Sequence, residues 1–278
     1  MRLIEGEAIV YNGILWLVKG FQHPVNKVIA YPRYDLVNKS KLTRYHKIRY
    51  INNYYWDCIK LNVPVIDLEK ARPYYGVNNF AGEEAVEALA HYLGLYRDQL
   101  LLTGSSLIGD YSNDIDIIIA GADHGVVDKL YELVEDKVFN RISMYFLLKE
   151  YFSKHSSSMD INTYLYIKGN TILHLQYNRR HINLKLVKYL RGVNECIEPV
   201  IDRHYFSGTI LVIDSIEPYA LPAKFHVRIG DEYFILETYR ELFSELKPGK
   251  YYVQGYIEVR DDYKVLNIDH GFIRLAKF

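Results

Sequence analysis

Leu101-Leu-Thr-Gly-Ser-Ser-Leu-Ile-Gly-Asp-Tyr-Ser-Asn-Asp-Ile-Asp-Ile-Ile-Ile-Ala120 decides how this chain is read. An apolar run enters a Gly-Ser turn, and a second apolar run follows, carrying aspartates at 114 and 116. Alternate residues of a strand share a face, so Asp114 and Asp116 point the same way. Two like charges held that close repel unless a cation sits between them. The Gly-Ser loop offers backbone N–H groups and a hydroxyl, donors that suit phosphate oxygens. Together these features read as a site for a metal-bound nucleoside triphosphate.

Around this segment, residues 76–195 read as one mixed α/β domain. Glu83 to Leu93 has helical spacing, with Val86, Leu89, Ala90 and Leu93 on one face and Gly94 to end it. Val126 to Val138 and Ile142 to Tyr151 are further helix candidates, and Asn162–Ile167, Thr171–Tyr177 and Ile182–Tyr189 read as strands. Residues 1–75 form a β-rich module, with a hairpin signal at Asn12-Gly13 and a strand at Lys27–Tyr31 that Pro32 restricts. Residues 200–278 read as β-β-β-α-β-β, with a short helix at Tyr239–Leu246.

The Gly-Ser/Asp-Ile-Asp segment resembles the nucleotidyltransferase superfamily, whose fold is like that of DNA polymerase beta. Thr103-Gly104-Ser105 and Asp114-Ile115-Asp116-Ile117 carry the resemblance, which extends loosely to about residue 190. The C-terminal order resembles an OB-fold, most closely over Leu246–Tyr256. The expected fold class is therefore α+β: a nucleotidyltransferase-like mixed sheet, an N-terminal β-rich module and a C-terminal OB-like β-barrel. The resemblance implies transfer of NMP from an NTP, with Asp114 and Asp116 as ligands for Mg²⁺ or Mn²⁺. Gly104, Ser105, Ser106 and Gly109 would cradle the triphosphate.

Three departures accompany the resemblance. The position of the family's third carboxylate, on Arg180–Val187, holds Asn183, an amide that accepts no proton. Asp160 is the nearest substitute carboxylate. The turn carries Leu107-Ile108 where a basic residue is usual, which leaves Lys185, or Lys188, to supply positive charge; the spacer from Gly109 to Asp114 is also short. The alternative reading is a catalytically inactive member that binds nucleic acid or docks a protein.

Composition bounds the partners. Lys+Arg and Asp+Glu both number 34, so no global positive field attracts nucleic acid, and any polyanion site is a local patch. The basic, aromatic stretch Lys39–Tyr50, with Tyr54, Tyr55 and Trp56, and the C-terminal His226, Arg228, Tyr252 and Tyr256 are candidates for RNA, the favoured acceptor. Cys58 and Cys196 give no metal spacing and no disulfide framework, which points to a reducing cytoplasm. No apolar run approaches membrane length. The 27 tyrosines, with abundant Ile, Lys and Glu, point to a heat-adapted source.

Overall fold

In the computed structural model, which describes residues 3–76, 80–109 and 114–276, Asn12 and Gly13 adopt φ of 49° and 73°. That left-handed pair is what a two-residue hairpin turn requires. It folds β1 (Ala8–Tyr11) onto β2 (Ile14–Val18) with Tyr11 opposite Ile14. β3 (Lys27–Asp35) then continues through Pro32, and β4 (Ser40–Lys41), α1 (Arg44–Ile48), β5 (Asn53–Trp56), β6 (Leu61–Asp67) and β7 (Arg72–Pro73) follow. These strands make a sheet in the order β5-β6-β3-β2-β1-β7, with β4 on β3. Pro32 is tolerated because it sits at a bulge, where a missing N–H costs no regular ladder bond.

α2 (Phe80–Leu93) leads into β8 (Leu100–Thr103), and a 3₁₀ turn, Gly104–Ile108, follows it. β9 (Ile115–Ala120) runs antiparallel to β8, and α3 (His124–Glu135) comes next, capped by Asp123, whose side chain accepts from Val126 N. β10 (Asn140–Arg141), α4 (Met144–Glu150) and α5 (Ile161–Lys168) follow, then β11 (His174–Tyr177) and β12 (Arg180–Val187), which give the sheet order β10-β11-β12-β9-β8 with β12 parallel to β9. Ile117, Ile118, Ile119, Leu184 and Leu186 form its solvent-free centre.

The chain divides into two compact units, Met1–Phe139 with Leu175–Ile197, and Asn140–His174 with Glu198–Phe278. The expected independent N-terminal module, residues 1–75, therefore belongs to the same unit as the Asp114 sheet. Thr103 Oγ1 donates to Gly6 O at 2.7 Å, Phe21 stacks on Tyr189 at 3.8 Å, and His23 N donates to Val193 O. A disulfide, Cys58–Cys196, closes a separation of 138 residues within this unit. The expectation of unpaired cysteines in a reducing compartment is corrected: disulfides persist in oxidising compartments and in intracellular proteins of hyperthermophiles. Among the described residues no helix is long and apolar enough to cross a membrane.

The second unit corrects the expected C-terminal OB-like domain in its extent and its elements, while its strands close on themselves. Its strands are β13 (Asp202–Glu217), β14 (Ala220–Leu221), β15 (Ala223–Ile229), β16 (Glu232–Thr238), β17 (Gly249–Val259) and β18 (Lys264–Leu275). Five of them pair in the cycle β13-β15-β16-β18-β17 and back to β13, with β16 and β18 parallel. They are not a domain standing alone over residues 200–278. Leu147, Tyr151, Met159, Tyr164 and Ile167, from the preceding helical segment, share their core. The helix expected at Tyr239–Leu246 is a single 3₁₀ turn, Glu241–Phe243. The strand expected at Asn162–Ile167 is α5, capped by Asp160, whose Oδ1 accepts from Asn162 N and Thr163 N.

Buried ion pairs hold that helical segment to the connection between β16 and β17. Lys168 Nζ lies 2.6 Å from Glu245 Oε2. His174 sits between two carboxylates, Nε2 at 2.7 Å from Glu241 Oε1, and Nδ1 at 3.0 Å from Glu150 Oε2 in an ion pair outside hydrogen-bond angles. Burial opposes the imidazolium, but the two carboxylates outweigh it and raise the His174 pKa to about 10. A folded pKa above the unfolded value stabilises fully below the latter and fades as pH rises through the former. The contribution of His174 is therefore complete below its ordinary value of 6.5 and is lost towards pH 10. The melting temperature should fall across that window, and His174→Gln should be less stable at neutral pH with a flatter alkaline profile; parallel slopes for the two proteins would refute this.

The disulfide gives a second expectation. In the chain-entropy account, closing a loop of this length stabilises by about 5 kcal/mol, and measured values centre on about 2–4 kcal/mol. Cys58→Ser/Cys196→Ser, or wild type with reductant, should unfold at clearly lower denaturant concentration; an unchanged midpoint would show that the pairing is dispensable.

Candidate functional site

β9 and β12 build the site between them. Their parallel register sets Asn183 opposite Asp116. Along β12, His181, Asn183 and Lys185 alternate with buried Ile182, Leu184 and Leu186, so the polar side chains share the open face. Asn183 Nδ2 donates to Asp114 Oδ2 at 3.1 Å and to Asp116 Oδ1 at 2.9 Å. One neutral amide thus bridges both carboxylates. The structure brings together Asp114, Asp116 and Asn183.

Gly104 is required by contact with this cluster. Its φ is +70°, and a Cβ there would lie 1.8 Å from Asp116 Oδ2. The Gly-Ser turn is therefore packed directly against the second aspartate. Gly109 ends the 3₁₀ turn at φ 80°, its N–H donating to Ser106 O. Ser105 is half-buried, whereas Ser106 is buried beneath the turn and presents no side chain to a ligand.

Two proposed contributors have other roles. Lys185 Nζ lies 3.3 Å from Glu5 Oε1, a buried carboxylate that also takes Lys19 Nζ at 2.7 Å and Gly20 N at 2.8 Å. Burial pushes the Glu5 pKa up, but Lys19 and Lys185 hold it below the ordinary range. Asp160, the substitute carboxylate, is the cap of α5 and belongs to the second unit. Residues 110–113, most of the short spacer, lie outside the described residues.

Sequence reasoning missed His181. Its Nδ1 is 3.6 Å from Asp114 Oδ1, and its position two residues before Asn183 was the available signal. Among the described residues no group of three or more His, Cys, Asp and Glu is arranged to hold a metal. Among the described residues, the Asp114 and Asp116 carboxylates and the Asn183 amide are the groups brought together on this face. Rotating that amide by half a turn would present its carbonyl oxygen in place of its N–H groups.

No protein-family model matches the chain, and neither a curated protein nor a solved structure matches it. The resemblance to the nucleotidyltransferase superfamily, and that to OB proteins, therefore gain no support, and the chain is assigned to neither. The site's chemistry rests on its own geometry.

That geometry makes a direct prediction. Asn183→Asp replaces the bridging donor with a third negative charge. The variant should melt below wild type without divalent cations and recover on adding Mg²⁺ or Mn²⁺, with a larger cation-dependent rise than wild type shows. Equal melting in both conditions would mean that the bridge contributes little.

Proposed function

We propose that the Asp114–Asp116 face binds Mg²⁺ or Mn²⁺ complexed to a nucleoside triphosphate, and that the protein transfers NMP to a hydroxyl acceptor, RNA first among the candidates. The observation that carries this reading is the convergence of both aspartates with Asn183 beside a glycine turn that admits no side chain. When bound, the cation offsets charge on the triphosphate and the attacking oxygen. Asp114 and Asp116 would hold it, and the backbone of the Gly104–Ile108 turn would line the approach for phosphate oxygens. The acceptor oxygen bonds to the α-phosphorus as the bond to pyrophosphate breaks. Asn183 takes no proton, so His181, beside Asp114, is the group assigned to receive the acceptor's proton.

One observation favours a second reading. The Asn183 amide already bridges the carboxylates, and Lys185 is engaged by Glu5, an arrangement that suits a scaffold binding nucleic acid or protein without turnover. A cytoplasmic location belongs to the first reading, in a compartment that tolerates the disulfide.

The test is incubation with each labelled NTP, RNA, and Mg²⁺ or Mn²⁺, for wild type and Asp114→Asn/Asp116→Asn. Label should enter RNA, and the double variant should lose about 100-fold or more of that rate. Absence of transfer and of NTP consumption under every condition would defeat the catalytic reading.

A further inference from the structure

Arg33 is the extra residue of a β-bulge. Leu15 pairs with Tyr34, yet the next residue, Trp16, pairs with Pro32, so Arg33 has no counterpart on β2. Bulges redirect side chains and are frequent beside functional sites. Arg33 Nε is buried and makes no hydrogen bond. A buried donor without an acceptor destabilises a fold, and such a donor calls for an explanation.

Leu42 N donates to Arg33 O at 2.9 Å and Lys41 pairs opposite Tyr34, which sets β4 and the start of α1, with its Lys47, beside the bulge. The Lys47 pKa is lowered by burial first, and then by the positive charges of Arg33 and Lys41. Three cations therefore converge, and neither Arg33 nor Lys47 has an ion pair among the described residues. Repulsion among like charges, with partial burial added, works against folding. The chain carries as many acidic as basic residues, so a shortage of carboxylates does not explain the arrangement. An external polyanion would satisfy both the charges and the orphaned Nε.

Exposed rings on neighbouring elements each sit beside a cation, Tyr45 under the Arg49 guanidinium and Tyr54 near Lys27 Nζ. Tyr45, on the same short helix as Lys47, is 66% exposed, and Tyr54, on β5, is 38% exposed. β5 joins β3 through β6 in one sheet. Exposed rings beside cations fit bases alongside phosphates, because every base has a face that stacks.

We propose that Arg33, Lys41 and Lys47 bind the backbone phosphates of a single-stranded nucleic acid whose bases stack on Tyr45 and Tyr54. As the surface for the acceptor this rests on the transfer reading; as a binding surface it stands independently of it.

The test is fluorescence anisotropy of a labelled oligouridylate, titrated at several potassium chloride concentrations. Wild type should bind, with affinity falling as salt rises. Arg33→Gln/Lys47→Gln should bind at least about tenfold more weakly, with a log–log salt slope shallower by about 1.4, the value for two lost single-strand phosphate contacts. Lys47→Arg should retain binding, and Tyr54→Ala should weaken it without changing the slope. Lys47→Gln removes a repelled charge, so its melting temperature should equal or exceed that of wild type, which separates lost binding from lost folding. Asp114→Asn/Asp116→Asn should bind as wild type does, so failure of transfer leaves this proposal standing. No salt-dependent binding by wild type, unchanged affinity and slope in Arg33→Gln/Lys47→Gln, or equal competition by polyglutamate would overturn it.

Discussion

The parallel pairing of β9 with β12 governs both the site and the architecture. It sets Asn183 opposite Asp116, with Ile115 opposite Ile182 and Leu184 opposite Ile117. A parallel neighbour cannot be reached through a tight turn, so the chain must make a long crossover between Ala120 and Arg180. That crossover lays down α3, contributes Asn140–His174 to the second unit, and returns at Leu175. The register is strongly held. A slip of one residue would carry Asp116 or Asn183 into a core of Ile117, Ile119, Leu184 and Leu186, where an unpaired polar group is costly.

Local signals in the sequence were readable wherever local chemistry decides the conformation. Asn12-Gly13 specifies its turn by backbone freedom, and period-two alternation places Asp114 with Asp116 and His181 with Asn183. The segment Ile161–Lys168 was misread because Ile, Thr and Tyr favour strands. The competing signal was present: Asp160 precedes it as a helix cap, and Tyr164 and Ile167, three apart, are both buried. Lys185 was hard to place for another reason. Its partner, Glu5, lies 180 residues away, and no local pattern announces that contact. The Cys58–Cys196 pairing, across 138 residues, is illegible on the same ground. The two compact units are likewise illegible in a linear scan, because the chain leaves one unit and returns to it.

The protein treats its acidic groups in two ways. Buried carboxylates are matched by cations of the chain itself: Glu5 by Lys19 and Lys185, Glu245 by Lys168, Glu237 by Lys224 and Arg260. These pairs fix geometry, and each partner would be costly to remove alone. At Asp114 and Asp116 the bridging group is a neutral amide. It satisfies hydrogen bonds while leaving the two negative charges uncancelled by its own charge. This difference distinguishes that face electrostatically from the buried pairs.

The same contrast, inverted in sign, separates Arg33 and Lys47 from several other basic residues. Lys27 is matched to Asp67, Lys264 to Glu232 and Arg97 to Glu83. Each of those pairs is partly exposed and contributes modestly to stability. Arg33 is instead displaced from the ladder by a bulge, beside a lysine that its charge disfavours. Both exceptions, one acidic and one basic, fall in the unit closed by Cys58–Cys196, while the second unit keeps its buried histidine and lysine paired within its own core. A zero net charge therefore conceals unequal pairing: Glu5, Glu237 and Glu245 meet cations of the chain itself, whereas Asp114 and Asp116 are bridged by an amide, with His181 Nδ1 3.6 Å from Asp114.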